Sequence, residues 1–218
     1  MKKGQGGDKD AKSAAAALQK ALDLLREGKP ARLTVPNDDE EARLFKQAQL
    51  LTAKPVLYVC NVEEASAANG NELSQKVEAR AKEEGAACVV ISAKIESEVA
   101  ALPAEEREMF LADLGLKETG LDRLIRAGYD LLHLVTYFTA GPKEARAWTI
   151  TKGTKGPQAA GVIHTDFERG FIRAETISYE DYVKYSGEAG ARDAGRLRLE
   201  GKEYVVADGD VMHFRFAT

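Results

Sequence analysis

The 218-residue sequence has no long hydrophobic run, no excess of positive charge, only two cysteines and a single tryptophan. No stretch approaches the roughly 18 apolar residues of a membrane span, and MKKGQGGDKDAK has no apolar segment after its lysines, so neither a spanning helix nor a signal peptide is predicted. Cys60 and Cys88 lie inside apolar, strand-like runs, the setting of buried reduced thiols, and this predicts a cytoplasmic protein. A formal net charge of -4 argues against a protein that coats nucleic acid by charge alone, because neutralising phosphates takes an excess of lysine and arginine. A G-x-x-x-x-G-K-[ST] phosphate loop is equally absent: Gly4-Gln5-Gly6-Gly7 runs into Asp8, and Gly187-Glu188-Ala189-Gly190 into Ala191 and Arg192. The three histidines and two cysteines show no metal-ligand spacing, so no metal ligand is predicted. His164 beside Asp166 lacks a nucleophile and reads as a helix-ending pair, and His133 and His213 sit among apolar residues as structural side chains, which leaves no catalytic candidate.

What is present is globular: 44% hydrophobic and 30% charged residues in a length that suits two modest domains. A flexible, glycine-rich opening precedes an amphipathic helix over Ala11–Arg26, stopped by Gly28 and Pro30, and a second over Asp39–Leu51 with Asn37 or Asp38 as cap and Leu44, Ala48 and Leu51 along one side. Val56–Cys60 reads as a strand buried on both faces, Asn71–Glu84 as an exposed helix closed by Gly85, and Cys88–Ile91 as a second strand. Strand, helix and strand make a βαβ unit, whose right-handed crossover brings both strand ends to one edge of the sheet. Helices follow over Pro103–Asp113 and Thr119–Leu134, the latter opened by a T-x-x-D signal. From Val135 the texture changes to strands and turns: a hairpin of Val135–Thr139 with Ala145–Thr151, a short helix over Gln158–His164, a strand over Phe171–Ser178, a pairing of Arg196–Leu199 with Glu203–Val206, and a last strand over Val211–Phe216. The expectation is α/β followed by α+β, with domains over 1–134 and 135–218. The second domain carries twelve basic and twelve acidic residues, so any RNA contact must come from a local cluster such as Arg196 and Arg198 or Lys152 and Lys155.

The chemistry collects where the two parallel strands end. Asn61 carries an amide that offers both a donor and an acceptor to a purine edge, Glu64 can accept from ring or exocyclic N–H groups, and Ser92-Ala93-Lys94 leaves the neighbouring strand as a loop with free backbone N–H groups. Taken from spacing alone, the same residues also read as a strand-ending turn and a solvated acid.

Several segments together carry a resemblance. NVEE after LTAKPVLYVC, SAKIE after CVVI, the long segment TYFTAGPKEARAWTITKGTKGPQAAGVIHTDFERGFIRAETISYEDY, and LRLEGKEYVVADGDVMHFRF closely resemble the C-terminal portion of the Obg-like ATPases of the YchF group. The resemblance implies that N-x-x-E replaces the N-K-x-D of Ras relatives and favours ATP over GTP, with Asn61, Val62 and Glu64 at the matching positions and Ser92, Ala93 and Lys94 in the loop over the base. It implies that 1–134 is part of a P-loop NTPase-like βαβ domain behind a helical insertion, and that 135–218 is a TGS domain, a ubiquitin-like β-grasp fold. It also implies association with the ribosome or a ribosomal subunit, with RNA contact through the TGS domain. The N-terminal nucleotide-binding half of that family, with its P-loop, switches and Mg²⁺ ligands, is absent here. ATP is therefore expected to meet base contacts only, and the chain is not expected to hydrolyse ATP by itself. The alternative is a stand-alone β-grasp adaptor that binds RNA or protein with no nucleotide role.

Overall fold

The computed structural model describes residues 9–217, in two compact units, one ending at Leu131 and the other beginning at Leu132. The glycine-rich opening read as flexible lies outside the described residues. Among the described residues no helix is long and apolar enough to cross a membrane.

In the first unit, helix α1 (Lys9–Arg26) packs on α2 (Asp39–Gln47). Asp38 caps α2, its carboxylate accepting the Glu41 N–H at 2.8 Å, and three acids fill the first turn, where the helix dipole favours them. The helix stops at Gln47, short of the expected Leu51, because Gln49 turns into the left-handed region (φ 48°). Leu51 then falls in a separate 3-10 turn and is 79% exposed, so the apolar stripe through Leu51 does not form.

Strands β1 (Leu57–Asn61) and β2 (Ala87–Ile91) flank α3 (Glu72–Glu83) and pair in parallel, Leu57 opposite Ala87 and Asn61 opposite Ile91. Asn71 caps α3 in a reciprocal box with Ser74, and Gly85 leaves the helix at φ +62°. β1 is not buried on both faces: Val59 is 45% exposed, and its burial alternates as a one-sided strand does. Three helices follow rather than two: α4 (Ala93–Ala101), α5 (Ala104–Asp113) and α6 (Gly120–Leu131). Ile95 and Val99 of α4, Leu111 of α5 and Leu116 of the next turn bury a common core with Ala67. The T-x-x-D signal works as read, with the Thr119 hydroxyl accepting the Asp122 N–H at 3.0 Å and donating to its carboxylate at 2.7 Å. α6 ends at Leu131, three residues before the expected Leu134, and His133 (φ 53°) swings the chain into the next strand.

The second unit is a five-stranded sheet of β3 (Leu134–Ala140), β4 (Ala145–Thr151), β5 (Phe171–Ser178), β6 (Arg198–Glu200) and β7 (Asp210–Phe216), in the order β4-β3-β7-β5-β6. The neighbours are antiparallel except the parallel β3–β7 pair. Helix α7 (Gly156–Ile163) covers one face, and Tyr137, Ile150, Ala159, Ala160, Phe171, Ala174, Met212 and Phe214 form the core. Gly156 lets α7 approach the sheet, since a Cβ there would stand 3.0 Å from the Phe171 ring. Three short helices were not foreseen, α8 (Thr165–Arg169), α9 (Tyr179–Lys184) and α10 (Glu188–Asp193), each too short for periodicity to register. Arg196–Leu199 does not pair with Glu203–Val206: β6 instead adds to β5, and Val205 makes one isolated bridge to Lys155. Tyr204 and Asp210 explain the difference. The Asp210 carboxylate, buried beneath this loop, accepts from the Tyr204 hydroxyl (2.6 Å), the Ala207 N–H (2.9 Å) and Arg198 (3.0 Å), which draws 203–207 inward instead of along an edge.

Candidate nucleotide-base site

The parallel pairing of β1 and β2 carries Asn61 and Ser92 to one sheet edge. Val62 extends the ladder one residue further, its N–H donating to the Ile91 carbonyl at 2.9 Å. The Asn61 amide oxygen then accepts the Ala93 N–H at 2.9 Å and ties the two strand ends together. Its NH₂ group has no hydrogen-bond partner among the described residues and lies in an exposed position. Ser92 is 2% exposed and its hydroxyl is buried without a partner among the described residues. Ala93 and Lys94 are exposed, and they form the first turn of α4 rather than the loop expected from sequence, with Ser92 at the N-cap position.

Glu64 opens a 3-10 turn over Glu64–Ser66, and its carboxylate forms an ion pair with the Lys94 ammonium. That pairing holds the Lys94 ammonium above its ordinary range. The six residues singled out from sequence, Asn61, Val62, Glu64, Ser92, Ala93 and Lys94, therefore occupy one edge, joined crosswise by the Asn61–Ala93 bond and the Glu64–Lys94 pair. Glu63 points elsewhere. Its carboxylate accepts from the Ser66 hydroxyl and from the Asn71 amide (3.1 Å), which keeps it below the usual carboxylate range and assigns it to the entry of α3.

A brace that sequence reasoning missed is Glu96. From the first turn of α4 its two carboxylate oxygens accept the Gly120 N–H (2.7 Å) and the Leu121 N–H (3.1 Å), binding the free N-terminus of α6 and orienting α4 behind Ser92. Its signal was the unrecognised helix α4 itself. Behind the edge, Cys60 and Cys88 are free thiols with sulfurs 3.8 Å apart, and burial together with the neighbouring Cys60 pushes the Cys88 thiol up to about 11.

His133 and His213 are not where apolar context placed them, whereas His164 ends α7 as read. His133 is an exposed turn residue, His213 is exposed 3.9 Å from Glu188, and the His164 ring nitrogen Nδ1 accepts the Asp166 N–H at 3.2 Å, so the histidine caps the helix that follows it. Of the basic residues suggested for RNA, Arg198 pairs with Asp210, Lys155 with Glu203, and Arg196 stands 4.0 Å from Asp181, while Lys152 has no ion pair among the described residues.

Comparison with known proteins matches residues 134–217 to the family described as YchF-GTPase_C, a protein of unknown function (DUF933). The chain is 56% identical over 211 residues to the ribosome-binding ATPase YchF of Bacillus subtilis, covering 96% of this chain and 57% of that protein. It is 53% identical over 216 residues to the ribosome-binding ATPase YchF of Haemophilus influenzae, covering 99% of this chain and 59% of that one. This chain belongs to the YchF family. The solved structure of the Schizosaccharomyces pombe YchF GTPase superimposes with a TM-score of 0.78 at 36% identity, over 92% of this YchF-family chain and 53% of that structure. A GTP-binding protein from Pyrococcus horikoshii, at 18% identity and a TM-score of 0.53, shares the fold. The chain spans somewhat more than half the length of these YchF relatives.

Proposed function

We propose that the first unit supplies the base-reading edge, and the second the ribosome or RNA contact, of a cytoplasmic ribosome-binding ATPase of the YchF type. The observation that carries the base-reading part is the Asn61–Ala93 bond: it holds the amide so that its NH₂ is left over for a ligand beside a buried, unpartnered Ser92 hydroxyl. An adenine base fits this donor set. The Asn61 NH₂ can donate to N7, Val62 can lie against the ring, and Glu64 can accept from the 6-amino group once Lys94 gives way. Guanine would ask more of Glu64, whose carboxylate would have to bridge N1–H and the 2-amino group while already neutralised by Lys94.

ATP supplies a γ-phosphoryl group to water when bound with Mg²⁺ in a complete site of this kind; in the 218 residues no segment has the form of a P-loop, and we assign no Mg²⁺ ligand. The purified chain is expected to show no ATP turnover above background.

For the second unit, strand order 2-1-5-3-4 with a parallel central pair and a helix crossing between its second and third strands supports a ubiquitin-like β-grasp TGS module. The test is a nucleotide titration by NMR together with ribosome pelleting. AMP is expected to shift the Asn61 side-chain amide and the Ala93 and Lys94 backbone signals at lower concentration than GMP, and the chain is expected to pellet with ribosomes. Equal response to both nucleotides at distant residues would refute base reading, and a chain left wholly in the supernatant would refute ribosome contact.

A further inference from the structure

Across β5 and β7 the register sets Arg173 directly opposite Arg215, Glu175 opposite His213, and Ile177 opposite Val211, all on the sheet face away from the α7 core. Like charges directly opposed on one face destabilise a sheet. Here a third guanidinium, Arg192 of α10, joins the same place, and all three arginines share one buried carboxylate, Glu175. Arg215 takes that carboxylate with two bonds, 3.2 and 3.0 Å, while Arg192 stands at 3.6 Å and Arg173 at 3.8 Å, beyond hydrogen-bond reach. The three arginine side chains are 45–54% exposed, Glu175 only 9%. Glu188 engages Arg192 at 2.6 Å and is the one other acid ion-paired with these arginines among the described residues, so three guanidiniums face two carboxylates in a unit whose twelve basic and twelve acidic residues balance as a whole.

Glu175, Glu188 and His213 also bring ligand atoms within 4.8 Å of one another. The carboxylate oxygens are already directed at Arg215 and Arg192, so a cation would have to displace two guanidiniums. The excess charge calls for an anion instead.

From this juxtaposition we infer that Arg173, Arg192 and Arg215 form a docking surface for the phosphodiester backbone of RNA. Guanidinium forks match phosphate oxygens in pairs, and Arg173, with no side-chain hydrogen bond among the described residues, has its guanidinium donors to offer. The same sheet face carries Phe138 opposite Val211, four residues along β7 from Arg215, and its ring packs against that of Tyr179 at 5.8 Å; Tyr179 is 54% exposed and offers a stacking surface for an unpaired base. An acidic protein segment would use the charges but would leave the aromatic pair idle, which is why RNA is the partner chosen. The inference rests on the ribosome-contact half of the proposed function and locates that contact away from Arg196, Arg198, Lys152 and Lys155.

The test is fluorescence anisotropy of a short labelled oligouridylate with the whole chain, across a salt series. Three neutralised phosphates predict a slope of log affinity against log salt of about −2, and Arg173→Gln should reduce it by roughly 0.7. Because Arg173 makes only a long contact to Glu175, this variant should fold as the parent does, and Arg215→Gln provides a second reading. Arg146→Gln, on the core-facing side of β4 over the Trp148 ring, should leave both affinity and slope unchanged. No binding by the parent chain at low salt, an unchanged slope in both arginine variants, or displacement of the RNA by oligoglutamate at equal charge would each overturn the inference. Ribosome pelleting separates the two ideas. A chain that pellets while its arginine variants keep the parental slope sinks only this inference; a chain that binds oligouridylate through these arginines but does not pellet sinks only the ribosome contact.

Discussion

Replacing Asn61 separates its two roles, because its oxygen and nitrogen do different work. In Asn61→Ala the Ala93 N–H loses its 2.9 Å acceptor at an exposed site, where water can replace it, so the loss of stability should be about 0.5–1 kcal/mol, the low end for a hydrogen bond. The variant also loses the NH₂ that would meet a base. One hydrogen bond at a half-open edge is worth about 1 kcal/mol of binding, or roughly a fivefold loss of AMP affinity. Asn61→Asp keeps an oxygen for the Ala93 N–H but replaces the donor with an acceptor, which would face N7 acceptor to acceptor. It should therefore melt within about 0.5 kcal/mol of the parent yet bind AMP more weakly than Asn61→Ala does. The assay is a pair of measurements on the same three proteins: denaturant midpoint, and chemical-shift titration with AMP. If Asn61→Asp binds AMP as well as the parent, the NH₂ takes no part in recognition and Asn61 is only the clasp between two strand ends.

Three further outcomes follow from the geometry. Asp210→Ala strips three donors of their shared buried acceptor, including an ion pair with Arg198, and should lower the stability of the second unit by about 3 kcal/mol, measured as the loss of its thermal transition by roughly 12–24 °C. The Tyr204 hydroxyl is pushed up to about 12 by burial and by the Asp210 carboxylate; since the folded state holds this proton more tightly, its contribution is complete below about pH 10 and is lost as pH rises towards 12, and Tyr204→Phe should flatten that decline in a pH series of melts. Cys88, with its thiol held up to about 11, should react slowly with iodoacetamide at pH 8 in the folded chain and at an ordinary rate in denaturant; equal rates would mean that the β1–β2 pair opens freely.

Local chemistry made much of this legible in the sequence. Capping residues act within three or four positions of where they stand, so Asn37 or Asp38 and the T-x-x-D at Thr119 marked helix starts, and the strand-like runs between turn residues marked β3, β4, β5 and β7. The edge with Asn61 and Ser92 was legible for a similar reason: a strand, a helix and a strand leave little freedom in where the two ends emerge. Helix α4 was missed because SAKIESEVAA has a weak apolar rhythm and no side-chain cap, and its stability comes from Ile95 and Val99 burying against Leu111, a contact no local window contains.

The sequence by itself determined most of the longer helices and the strands β1 to β5 and β7, because periodicity, caps and turn residues act over a few positions. Tertiary structure alone decided which elements meet. Whether β6 pairs backward with β5 or forward with residues 203–206 depends on Asp210 pulling Tyr204 inward, and whether Arg173, Arg192, Arg215 and Glu175 form one cluster depends on a register between strands about 40 residues apart. Charges so distant in the chain carry no local signature. They become neighbours only when the hydrophobic face on the other side of the same strands settles onto its core.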